Sequence, residues 1–285
     1  MEVNGQRVNS KSEGLPGQAA PVLPKTQNKR FQKRLPKSNL AIRCTLCDGG
    51  ANARQVGFQG ICSDNLMRYN VLIAKRPWCS SPDCDCAERM KGNMTGMDLE
   101  ENYREGIWPC YESTMLDDWT AGAGSKASGE PMTIRGTQID SLCVLTTCDP
   151  YRDESFRYIY AMFLIGDVYE GKQGVYEGSQ DFGYVVARDD FRVAFPLDVA
   201  RSLLFWNYHA NGNKPKESAW STGLHRYLDD TESAQMLMDA VKLMKGTPEC
   251  VTLQNMLDYF CRINHLDLSK LTKPEGARYI ADKSK

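Results

Sequence analysis

Seven of the eleven cysteines lie between positions 44 and 110. Cys44, Cys47, Cys62, Cys79, Cys84, Cys86 and Cys110 form the pattern C-x2-C-x14-C-x16-C-x4-C-x-C-x23-C. Thiolates bind metals and attack electrophiles, so this spacing is the first clue to chemistry. In the leading pair, CTLC, two intervening residues allow both sulfurs to meet one ion at about 2.3 Å while the turn amides hydrogen-bond them. The stretch WCSSPDCDC, Trp78 to Cys86, would supply the other half of the clamp. The expectation is one tetrahedral zinc bound by Cys44, Cys47 and two later thiols, with three cysteines left for a second ion. An iron–sulfur cluster, which also takes four thiolates, is the alternative.

Other uses of these thiols fit less well. The N-terminal residues MEVNGQRVNSKSEG contain no apolar leader, which leads us to expect an intracellular, reducing location, cytoplasmic or nuclear, where disulfide frameworks are rare. A chain of 285 residues can also bury a core without covalent staples. The three histidines, His209, His225 and His265, all fall outside the cysteine-rich stretch, so a Cys/His zinc finger or a zinc deaminase signature cannot be assembled there. Asp83 and Asp85 flank Cys84 with negative charge, which raises a thiol pKa and argues against a nucleophile.

Charge gives a second clue. Residues 1–39 carry a net +6 and the remainder −7. The segment KTQNKRFQKRLPK, with Lys29, Arg30, Lys33 and Arg34 at its centre, reads as a disordered basic arm suited to nucleic-acid phosphates. The acidic remainder does not suggest a broad duplex-binding face, and it also suits a protein-interaction scaffold. No apolar run approaches the roughly 20 residues needed to span a bilayer, so no membrane partner is expected.

Two further groups could do chemistry. Asp167, Glu170 and Lys172 follow a strand-like segment and resemble the PD-(D/E)xK arrangement, which implies Mg²⁺ held by carboxylates and a lysine positioning water. The glycines at 171 and 174 favour a turn over a catalytic strand. Phe205 to Gly212, FWNYHANG, with Trp220 and Tyr227, could stack on bases, although helical spacing favours a core role.

The elements that would position these residues divide by pattern. We expect a basic arm over 1–39, a Cys-rich metal-binding module over 40–119, a linker over 120–131 and an α+β domain over 132–285. In the last, LCVLTT (142–147), YIYAMFLIGDVY (158–169), DFGYVVA (181–187) and FRVAF (191–195) read as strands of a mostly antiparallel sheet. Helical periodicity follows in a segment from Pro196, a second from Asp230 and a third opened by Thr247-Pro248. Strands followed by an aromatic-bearing helix over 140–212 are similar in layout to small PUA-like readers of modified or single-stranded nucleic acid, a likeness of architecture with no sequence motif behind it. The combined reading is an intracellular zinc-stabilised binding protein with nucleic acid as its leading partner. A metal-dependent enzyme, either a Mg²⁺ nuclease or an iron–sulfur protein, is the competing class.

Overall fold

The computed structural model of the chain describes residues 38–124, 130–171, 182–220 and 223–283. The basic segment containing Lys29, Arg30, Lys33 and Arg34 lies outside the described residues, as does Lys172. The architecture is α+β. Six strands, β1 (Asn39–Arg43), β2 (Thr120–Gly122), β3 (Leu142–Thr147), β4 (Tyr158–Tyr169), β5 (Tyr184–Ala194) and β6 (His225–Leu228), form one sheet in the order β2-β5-β4-β3-β1-β6. Only the β1–β3 pair is parallel, with Leu40 opposite Cys143 and Arg43 opposite Thr146.

The centre of the sheet follows from composition. Every residue of β3 and the first eight of β4 are buried, as their unbroken apolar and β-branched runs require of strands covered on both faces. The bounds of both strands coincide with the segments expected from sequence. In contrast, the two segments expected over 181–187 and 191–195 are not separate strands: residues 184–187 and 191–194 belong to a single strand, β5. Its charged middle, Arg188-Asp189-Asp190, stays in the strand because Asp189 and Asp190 are exposed and Arg188 pairs with Asp140 at 2.7 Å and Asp190 at 2.8 Å. Register shifts in the β4–β5 pairing between Phe163 and Asp167 absorb the mismatch.

The sheet takes strands from both sides of the division that composition suggests. β1 comes from the start of the cysteine-rich stretch and sits between β3 and β6, while β2 falls within residues 120–131 and pairs with β5. Of the short helices among the described residues, α1 (Asp64–Arg68), α2 (Asp85–Lys91) and α3 (Gly96–Arg104) pack on one another, while α4 (Met115–Asp118) packs on β2 and α5 (Leu197–Ser202) on β4. The periodic segment after Pro196 stops being helical at Leu203. There the chain pairs with the start of β4 instead, through Ile159 N to Leu203 O at 2.9 Å and Phe205 N to Arg157 O at 2.9 Å. Tertiary backbone pairing overrides the local period.

Three further helices, α6 (Asp230–Leu243), α7 (Glu249–Ile263) and α8 (Ala277–Asp282), complete the fold. α7 buries the expected stripe of Leu253, Met256, Leu257 and Phe260. Among the described residues no helix is long and apolar enough to cross a membrane. The start of α6 is fixed by a reciprocal cap. Asp229 Oδ1 accepts from Glu232 N at 2.8 Å, and Glu232 Oε2 accepts from Asp229 N at 2.9 Å. Replacing Asp229 with Ala should therefore cost about 1 kcal/mol of unfolding free energy, read from the urea midpoint; an unchanged midpoint would show that the cap contributes nothing.

Candidate functional site

The cysteine-rich stretch is the connection between the parallel strands β1 and β3, and its loops fold back on one another. Gly57 and Gly49 make this possible. A Cβ on Gly49 would lie 2.1 Å from Gly60 O, and one on Gly57 2.1 Å from Cys47 O at a φ of +137°, so the segments carrying Cys47 and Cys62 touch backbone to backbone. Asp48 then clamps the segment after Cys62, taking the Ser63 amide at 2.7 Å and its hydroxyl at 2.6 Å. Phe58, fully buried, stacks on Tyr160 at 3.8 Å between ring centroids and ties the loop to β4.

The second half is held by short helices. Arg89 of α2 grips Asp64 of α1 with three bonds, at 2.7, 2.9 and 3.1 Å, and Asn102 of α3 donates to Asp85 of α2 at 3.1 Å. Cys84 stands at the N-cap of α2, with its sulfur 3.3 Å from Pro109 O, which brings it beside Cys110. Cys79, Cys84 and Cys86 are buried in one small cluster with Met67, Val71, Ala87 and Leu99, and Cys62 packs against it.

Four of the seven thiols thus face each other in two pairs. The Cys62 thiol faces that of Cys47, and this contact, followed by burial, pushes the Cys62 pKa far up. Cys84 and Cys86 form the second close pair. The Cys86 thiol first, then the backbone amides of Cys86 and Ala87, hold Cys84 down at about 7 against the effect of burial. The same pairing, followed by burial, raises Cys86. Cys79, in the same small cluster, is pushed up to about 12 by burial and then by Glu112, Cys84 and Cys47. Burial also raises Cys110, with Glu112, Cys47 and Cys79 adding to it. All eleven thiols are free of disulfides. Among the described residues no group of three or more His, Cys, Asp or Glu side chains already has an arrangement that could hold a metal ion.

Cys44 is the exception among the seven. Its sulfur turns into the sheet core, 3.5 Å from Met115 Sδ and 3.2 Å from Tyr160 Oη, where burial pushes its pKa up to about 12. CTLC therefore does not present both sulfurs to one point: Cys44 continues the ladder beside β3, with its amide on Thr146 O at 2.8 Å, and Cys47 lies just before the turn at Gly49-Gly50, its sulfur 3.4 Å from Gly60 O. Two features were not singled out from sequence. One is Glu112, which accepts from Thr45 N at 3.1 Å beside the thiols. The other is the run of glycines at 49, 50, 57 and 60, whose density between Cys47 and Cys62 was the available signal.

The other expected groups lie elsewhere. Asp167 sits in β4 opposite Val186. Glu170 is exposed just after that strand, and its carbonyl accepts from Ile134 N at 3.0 Å. Phe205, Trp206 and Trp220 are buried against one another, with ring centroids 5.0–6.2 Å apart, and so serve as core. His209, also buried, shares a bond of 3.1 Å between Nδ1 and Glu232 Oε1.

Compared with known proteins, the chain matches no family model, no curated protein and no solved structure. The site is read from its own geometry. Because Gly49 and Gly60 touch without side chains, Gly49→Ala should force the Cys47 and Cys62 segments apart and destabilise the chain by about 1–3 kcal/mol. Chemical denaturation measures this, and a wild-type midpoint would show that the close approach is dispensable.

Proposed function

We propose that the chain is an intracellular binding protein whose β1–β3 connection folds around zinc held by thiolates, with nucleic acid as its partner. One observation carries the metal reading: Cys79, Cys84 and Cys86 share one buried cluster, Cys62 packs against it and faces Cys47, Cys110 follows the Pro109 carbonyl that meets the Cys84 sulfur at 3.3 Å, and no disulfide joins any of the six. Adjacent thiols resist losing their protons together, because each thiolate repels the next. A divalent cation removes that penalty, and zinc takes four sulfurs in a closed structural site. Capture would require the side chains to close from pairwise contacts into a ligand shell, with release of thiol protons.

The donor set fits this role. Six sulfurs exceed the four that one tetrahedral ion needs, and no histidine is among the residues of the patch. Closed all-sulfur sites of this kind stabilise folds rather than activate water. Nucleic acid is favoured as the partner by the positive segment at Lys25 to Lys37, whose contribution should be salt-dependent. An iron–sulfur cluster would use the same thiols and differs in colour.

Metal analysis and a visible spectrum of anaerobically purified full-length protein test the proposal. Colourless protein with at least one zinc per chain is the expected result. Brown protein containing iron and sulfide would replace zinc with a cluster, and protein free of both metals would overturn the reading. Single variants locate the ligands: Cys47→Ser should lower bound zinc, whereas Cys44→Ser should leave it unchanged. The reverse outcome would restore the CTLC pair as the clamp.

A further inference from the structure

At one end of the sheet, three adjacent elements place arginines on the same face. Arg43 closes β1 and is in register with Thr146 of β3. Arg226 of β6 lies opposite Ala41, two residues before Arg43, so strand alternation puts Arg226 and Arg43 on one side. Arg157, just before β4, reaches the same side by donating from Nη1 to Thr146 O at 3.2 Å. The guanidinium carbons of Arg157 and Arg226 lie over the Trp220 ring at 5.1 and 5.2 Å. A fourth arginine, Arg76, comes from the cysteine-rich connection. It stands near enough for its charge to act on Arg43.

Two of these cations, Arg43 and Arg76, have too little counter-charge around them. Glu154 is the carboxylate of the group, and Arg157 already engages both of its oxygens. Arg43 makes no ion pair or side-chain hydrogen bond with a described residue, and Arg76 Nε is buried without a hydrogen-bond partner. Burial first, then Arg157, Arg76 and Arg226, with Glu154 opposing, lowers the pKa of Arg43. Guanidinium nonetheless stays charged in proteins, so the repulsion is retained in the folded chain. Arg43, Arg76 and Arg226 are half-buried rather than sealed, which leaves a route for a ligand.

We propose that Arg43, Arg76, Arg157 and Arg226 form a binding site for a phosphate group, with Arg43 and Arg76 making the direct contacts. Arg157 is already committed to Glu154 and Thr146 and acts as a fixed positive wall. A phosphate suits the site better than a carboxylate, because a doubly charged group with three free oxygens can accept from several guanidinium forks at once. The proposal goes beyond the zinc reading and does not require it. It places an anion contact in the folded body, separate from the basic N-terminal segment. The aromatic rings beside it are buried and offer no free face for stacking, so the shared chemistry is the phosphate itself, carried by a nucleotide or by a nucleic-acid backbone.

Titration calorimetry on the full chain at low salt tests this with pyrophosphate, a nucleoside monophosphate and a single-stranded oligonucleotide, using acetate as the control anion. Saturable binding of at least one phosphate probe is expected, weakened roughly tenfold or more by Arg43→Gln and by Arg76→Gln. Arg104→Gln, on the exposed end of α3, should leave it unchanged. Tight binding of the monophosphate alone would identify a nucleotide as the source, and much tighter binding of the oligonucleotide would identify a backbone. Arg76→Gln serves as the reading if Arg43→Gln fails to fold. Absence of saturable binding by every phosphate probe, or equal affinity in wild type and both variants, would overturn the site. Neither outcome depends on metal content, so this proposal and the zinc reading can fail separately.

Discussion

The parallel pairing of β1 with β3 governs the rest of the structure. Antiparallel neighbours can be joined by a tight turn, whereas parallel neighbours need a long connection that carries the chain back to the same end of the sheet. Here that connection runs from Cys44 to Ser141 and contains all seven cysteines of the cysteine-rich stretch, helices α1 to α4 and β2. β2 pairs at the edge of the sheet while β1 lies well inside it, so the connection is anchored at two separated places. The cysteine-rich stretch is a loop whose ends the sheet fixes and whose middle has little apolar material of its own. Its interior cluster consists largely of cysteine with Met67, Val71, Ala87 and Leu99. A metal would supply the cohesion that such a small cluster lacks, in the way that small domains with limited cores depend on ions.

The end of β1 also separates two chemistries. Arg43 faces the arginine group, and Cys44, the next residue, faces the core with Tyr160 and Met115. The alternation of an extended chain makes this unavoidable: neighbouring residues on a strand point to opposite sides. Arg76 and Cys79 provide the opposite case. Three residues apart in the connection, they bring one guanidinium close to both the thiols and the arginine group. If zinc orders the connection, it also fixes Arg76 in place.

Much of the sheet was legible because β3 and β4 are long, unbroken apolar strands whose period and bounds need no tertiary information. Helices α6 and α7 were legible for a similar reason, since Asp230 and Thr247-Pro248 mark their starts in local sequence to within about a residue. β1, β2 and β6 were not. NLAIR, TAG and HRYL are too short to carry a period, and they become strands only because longer strands present edges to them. The segment after Pro196 misled in the opposite direction, as its helical spacing continues past Leu203 where pairing with β4 takes over. At the candidate site the clustering of cysteines was legible from their density, but which of them face one another was not. The C-x2-C spacing of Cys44 and Cys47 is compatible with a metal knuckle, yet the first sulfur turns into the sheet core and the second toward Gly60. The glycines that bring Cys47 to Cys62 act through backbone contact, which spacing rules for ligands do not register.

The central claim is that sulfur from the β1–β3 connection forms the complete inner shell of a bound metal. X-ray absorption at the zinc edge of the full-length protein addresses that shell directly. The account predicts a first shell of four sulfurs at about 2.3 Å with no nitrogen or oxygen scatterer. A shell containing nitrogen or oxygen at about 2.0–2.1 Å would contradict it and assign the metal to groups other than these thiols.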